Sequence, residues 1–151
     1  MTALSIEIED EGWTAALPTA ADLVEQAAVA AKAGHDGEIA ILLTGDETVR
    51  DLNRRFLGKD SPTNVLAFPD AGPGRLGDIA LAYGVCASEA AEQAKPLADH
   101  LRHLVVHGVL HLLGYDHQRD DDASRMEALE RRLLAKMSIA DPYQARVDVR
   151  D

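Results

Sequence analysis

The stretch from Leu97 to Gly114 constrains this chain more than any other. Leu97, Leu101, Leu104, Val105 and Leu112 recur along it at helical spacing. A helix with such an apolar stripe must be covered, so the rest of the chain has to supply a layer for it to lie on. Pro96 either interrupts the helical run Ala87 to Gln93 or opens a new helix at a first-turn position, where its missing N–H would have no helical partner anyway. Gly114 suits the left-handed residue that ends a helix.

Four short segments read as the strands of that layer. Leu4 to Glu9 alternates apolar and polar residues with period two, and Gly37 to Leu43 is an apolar, β-branched run bounded by glycines. Asn64 to Phe68 and Asp78 to Tyr83 survive between the prolines and glycines of the middle of the chain. Further helices are expected from Thr19 to Gly34, from Thr44 or Asp46 with Val49, Leu52 and Phe56 on one face, and from Asp120 to Met137 with Met126, Leu129, Leu133 and Met137 on one side. The order predicts an α+β fold: a single domain over residues 1–151, with a mixed four-stranded sheet, about five helices and a partly loose tail over 138–151.

Composition narrows the setting. With 46% hydrophobic and 27% charged residues the chain lies outside the disordered class, and its few aromatics leave an aliphatic core. The single Cys86 cannot form an internal disulfide, and the acidic N-terminus does not resemble a secretory signal. No apolar run approaches the ~20 residues of a membrane span. The expectation is a cytoplasmic protein with no membrane partner. A net charge of −11 argues against broad, nonspecific binding of nucleic acid, because phosphates are bound largely through Lys and Arg.

Five of the six histidines fall between residues 100 and 117. On a helix, His107 and His111 stand one turn and ~6 Å apart on one face, within reach of a single ion. The turn after Gly114 can bring His117 back over the same face. The pattern H-x-x-x-H-x-x-G-x-x-H thus offers three imidazoles to one zinc ion, with the metal site at the end of a central helix and a fourth position open to water. His103 lies a turn too far for the same ion and is read as a supporting or structural residue; His100 and His35 are read as surface residues.

Zincins share the ligand spacing but carry a glutamate general base where this chain has Gly108. Hydrolysis of a peptide or small ester is therefore disfavoured. A closed structural site would need a fourth ligand, and Cys86 is the only thiol; its place at a strand-to-helix junction reads instead as that of a small buried residue. Asp116 is a candidate to orient a histidine or assist proton transfer, or else it stabilises the turn after Gly114, and Asp78 is open to the same alternatives.

The stretch His107-Gly-Val-Leu-His-Leu-Leu-Gly-Tyr-Asp-His117 resembles the signature of the YbeY family of bacterial endoribonucleases. The similarity extends to Leu52-Asn53, to Gly58-Lys-Asp-Ser-Pro-Thr-Asn-Val-Leu-Ala-Phe-Pro69, to Gly77-Asp78-Ile79, to Lys95-Pro96-Leu97, to Met126-Glu-Ala-Leu129 and to Asp141-Pro-Tyr143. It implies an α+β fold, zinc on His107, His111 and His117, and zinc-dependent cleavage of single-stranded RNA. The implied role is maturation of the 16S rRNA 3′ end and ribosome quality control, with rRNA, the small ribosomal subunit and ribosomal or assembly proteins as partners. One departure stands out: the family commonly has an arginine before the Gly-Lys-Asp stretch, engaging phosphate, and this chain has Leu57.

Lys59 and Arg55 are the substitute candidates for substrate binding. Arg50, Arg54, Arg55 and Lys59 cluster before the third strand, which predicts a local positive strip on an acidic body. Metal-assisted phosphodiester hydrolysis is the leading reading, and it needs no strong base at position 108. The alternative is a ribosome-assembly factor that mainly binds the subunit or partner proteins, with little nuclease activity because of Leu57. An open site predicts that Cys86→Ala keeps its zinc; loss of the metal on elemental analysis would mean a closed, structural site.

Overall fold

The computed structural model describes residues 4–70, 72–115 and 119–143. Within them, β1 (Leu4–Ile8), β2 (Glu38–Thr44), β3 (Val65–Pro69) and β4 (Arg75–Ala82) form one sheet in the order β1-β2-β4-β3. β1, β2 and β4 run parallel, and β3 pairs antiparallel to β4 at an edge. The mixed four-stranded sheet is as expected. β2, flanked on both sides, buries Ile39, Ile41 and Leu43 towards one face, while Leu42 packs with Val49, Leu66, Ala80 and Ala82 on the other. Burial on both faces is why its sequence reads as a continuous apolar run and not as an alternation.

The first face is covered by α2 (Ala20–Lys32) and α5 (Leu97–Leu112), which pack on each other. Ala20, Ala27, Ala28 and Ala31 form the buried side of α2, and such small side chains let two helices approach closely. α5 is the most buried helix: Leu101, Val105, Val106 and Val109 are fully enclosed. α6 (Asp120–Lys136) lies against α5, and α3 (Asp46–Leu57) lies on the opposite face against β3 and β4.

Six helices are present among the described residues, one more than expected. α1 (Glu11–Ala16) is only six residues long, too short for apolar periodicity to reveal. It is held by its ends and by one large side chain. Asp10 caps it by accepting from the Gly12 N–H at 2.8 Å, and Trp13, fully buried, donates its indole N–H to the Thr44 carbonyl at 3.0 Å. α4 (Tyr83–Glu92) begins at Tyr83, directly where β4 ends, so Tyr83 belongs to a helix and not to a strand.

Of the segment expected to form a partly loose tail, Ile139 is buried in the main core and Tyr143 is tied into the site described below; residues 144–151 of it lie outside the described ones. Where β3 meets β4, Gly77 pairs with Pro69 at φ 148°, and a Cβ there would stand 2.2 Å from the Phe68 carbonyl oxygen and 2.8 Å from Leu112. Gly77→Ala is therefore expected to cost about 3 kcal/mol, from backbone strain and overpacking together. Denaturant unfolding of the variant measures it.

Candidate metal centre

The last two turns of α5 carry the site. His107 and His111 lie one above the other with ring centroids 4.7 Å apart and ring planes at 79°. The helix ends in the manner Gly114 suggests. The Tyr115 N–H bonds to the Leu110 carbonyl and the Gly114 N–H to that of His111, each at 3.0 Å, with Gly114 at φ 101°. This is the glycine-terminated cap that satisfies the orphan carbonyls of a last turn. His117 and Asp116 lie outside the described residues. Among the described residues, no third His, Cys, Asp or Glu joins the pair to complete a metal site.

Both imidazoles line a cleft of about 430 Å³ between α5 and the edge strand β3, walled by Thr63, Asn64, Val65 and Ala67 on one side and by Leu104 and Gly108 on the other. Leu57, the last residue of α3, sits on its rim, with Tyr143 also in the lining. A Cβ on Gly108 would stand 3.1 Å from Ile79 of β4, so this residue is the point where α5 rests on the sheet. Any side chain at that position would press on Ile79, which must give by a few tenths of an ångström to admit it.

Glu130 is the functional residue that the sequence reading missed. It is fully buried, yet its carboxylate accepts from His107 Nδ1 at 2.9 Å, from His103 Nε2 at 2.7 Å and from the Tyr143 hydroxyl at 2.7 Å. Burial alone would push this carboxyl up, but the hydrogen bonds from His103, His107 and Tyr143 outweigh it and hold it at about 2. The signal was available: Glu130 falls four residues after Met126 and three before Leu133, inside the apolar side of α6. His103 is thus a supporting residue, as expected.

His100 is a correction, for it is not on the surface. Only 3% exposed, it meets Glu89 Oε1 through Nε2 at 2.9 Å, and Glu89 also accepts from the Asn64 amide at 3.0 Å. A His100–Glu89–Asn64 chain, buried at its histidine end, therefore braces the cleft wall, as the Glu130 cluster braces its floor. His35 is exposed, as expected. Cys86 is fully buried, with its thiol pushed up by burial, and donates weakly to the Asn64 carbonyl. It does not line the cleft.

The basic residues of α3 are largely neutralised where they stand. Arg50 is held by Asp60 at 2.8 Å, and Arg54 and Arg55 both pair with Asp51. Neither Arg55 nor Lys59 is in the cleft lining, although Leu57 between them is. Asp78 is turned to Arg75, its carboxylate accepting at 2.8 Å, in a cluster with Glu38 and Asp70 that does not line the cleft.

Fold and site together define a class: an α+β hydrolase domain whose cleft is floored by helix-borne imidazoles backed by a buried carboxylate. The profile of the endoribonuclease YbeY family matches residues 5–138, and the chain belongs to that family. The endoribonuclease YbeY of Maricaulis maris is 51% identical over 149 residues, covering 95% of this chain and 92% of its own. That of Paramagnetospirillum magneticum is 49% identical over 155 residues, covering 93% and 94%. A solution structure from Thermotoga maritima shares the fold with a TM-score of 0.59 at 23% identity, over 93% of this chain and 99% of that one.

Burial lowers the His100 pKa, against the opposing effect of its hydrogen bond to Glu89. A depressed folded value means that its contribution to stability is complete above the unfolded value of ~6.5 and is lost as the pH falls through the folded one. Thermal unfolding at stepped pH between 7.5 and 5, about one unit either side of that value, is expected to show a falling midpoint, and His100→Asn a flatter one.

Proposed function

We propose that this endoribonuclease cuts single-stranded RNA in the α5–β3 cleft with one zinc ion held by His107, His111 and His117. The observation that carries the reading is the His107–His111 pair, edge to face on the cleft floor, with Nδ1 of His107 committed to a buried carboxylate. Imidazoles arranged and backed in this way fit a borderline metal such as zinc. Zinc in such a site supplies Lewis-acid polarisation of a phosphoryl oxygen and a water acidified towards pKa ~7.

The chain's own residues do the rest. The cleft, about 430 Å³ between a helix and a sheet edge, is the place for the RNA strand on this reading. Leu57 gives its rim an apolar contact where the family's arginine would meet phosphate, so Lys59 and Arg55, just outside, are the cations left for the RNA backbone. Asp116, next to His117, is the candidate for proton transfer. With the arginines of α3 already paired to acids and a net charge of −11, long-range attraction to RNA is weak. Delivery by the small ribosomal subunit and its ribosomal or assembly proteins compensates. The substrate is accordingly the 3′ end of small-subunit rRNA, in maturation and quality control in the cytoplasm. The described residues contain no helix long and apolar enough to cross a membrane. A mainly binding assembly factor is not favoured, since relatives that share about half of the sequence are endoribonucleases.

His111→Ala and His117→Ala are each expected to lower cleavage of a single-stranded rRNA fragment at least ~100-fold and to lose bound zinc, with the circular dichroism spectrum unchanged. Full zinc and full cleavage in either variant would overturn the reading. Leu57→Arg is expected to lower KM for RNA and to steepen its salt dependence by about one phosphate contact.

A further inference from the structure

We infer that Glu130 is the positioning residue of this site: it holds His107 in the Nδ1–H tautomer, so that Nε2 is the nitrogen with a lone pair to offer. The inference rests on the reading of His107 as a metal ligand. A neutral imidazole carries its proton on either nitrogen, and only the bare one can bind an ion. The choice is made by whatever the other nitrogen touches. Here Nδ1 touches Glu130 Oε2 at 2.9 Å.

The arrangement leaves Glu130 only one way to act. It lies fully buried beside Met126, Leu133 and Leu134, where an apolar residue would pack at lower cost. Its oxygens divide the work. Oε1 is anchored by two donors, His103 Nε2 and the Tyr143 hydroxyl, both at 2.7 Å, and Oε2 faces His107. A carboxylate that donates to none of its three partners is purely an acceptor, so every partner must present a proton to it.

For His103 this fixes the opposite tautomer, and the cost is visible. Its Nδ1 is left buried without a hydrogen bond among the described residues. Such a sacrifice marks His103 as an anchor. Its ring, edge-on to those of both His107 and Tyr143, at 6.4 and 5.8 Å between centroids, closes the cage around the carboxylate. The four groups come from α5, α6 and the segment after α6, so packing of α6 on α5 is what delivers the acceptor to the imidazole.

Glu130→Gln separates this role from simple packing, because it keeps the shape and exchanges one acceptor oxygen for an NH₂ donor. Two donors on the Oε1 side retain the amide oxygen there, which turns the NH₂ towards His107 and forces its Nδ1 to become an acceptor. In the zinc-free, full-length protein, ¹⁵N NMR of the histidine ring nitrogens is expected to show His107 as the Nδ1–H tautomer in wild type and as Nε2–H in Glu130→Gln. Zinc affinity, measured by chelator competition, is expected to fall roughly 10–100-fold in the variant. Tyr143→Phe removes one anchor and leaves the Nδ1–H tautomer in place.

Wild-type His107 found as Nε2–H overturns the inference whether or not the glutamine variant folds, and so does a variant that keeps both the tautomer and the zinc affinity of wild type. A wild type that shows the Nδ1–H tautomer yet binds no zinc would instead overturn the metal reading and uphold the control of the tautomer by Glu130.

Discussion

Everything in this molecule is arranged around the contact between α5 and the sheet, tight at Gly108 over Ile79 and at Leu112 over Gly77. A side chain at position 108 would lift the helix from β4, and the cleft between α5 and the β3 edge would change width with it. The close approach thus sets the height of His107 and His111 above the edge strand. It also removes from the helix the one position at which an adjacent acid would serve as a base. The same contact that builds the cleft decides what chemistry the helix can bring to it, and leaves proton management to residues outside it.

A small domain rarely retains a carboxylate at zero exposure unless its partners are complete, because removing a charge from water costs several kcal/mol before any pairing. Glu130 meets the condition through three donors; Glu89, half-buried, is held by His100 and Asn64. Each carboxylate links α5 to a different neighbour: α6 with the segment beyond it, and α4 with the strand entering the cleft. Buried Glu130 and half-buried Glu89 therefore serve as polar pins around an otherwise aliphatic core, one beneath the cleft and one behind its wall.

Much of this was legible in the sequence. The four strands, the long apolar helix, its glycine cap and the histidine pair all follow from local periodicity and spacing, which act over a few residues. What escaped depends on contacts distant in the chain. α1 is stabilised by Trp13 reaching Thr44, thirty-one residues on, and no local pattern records that. His100 looks like a polar helix residue until Glu89 is brought beneath it. Glu130 looks like one more acid of a charged helix, and only its place in the apolar register hints that it turns inwards. The arginines before β3 read as a positive strip, whereas Asp51 and Asp60 fold back onto them.

The direction in which α5 runs has a further effect. It presents its C-terminal end to the cleft, with His111 in its last turn, and a helix end of that kind carries roughly half a negative charge. A helix terminus of that sign on a protein of net charge −11 favours a cation over a phosphate. A divalent cation held there, as proposed above, would offset that charge and make the cleft tolerant of phosphate. On the reading proposed above, affinity for the polyanion would be conditional on occupancy, and the acidity of the protein would confine productive contact to the metal-bearing cleft.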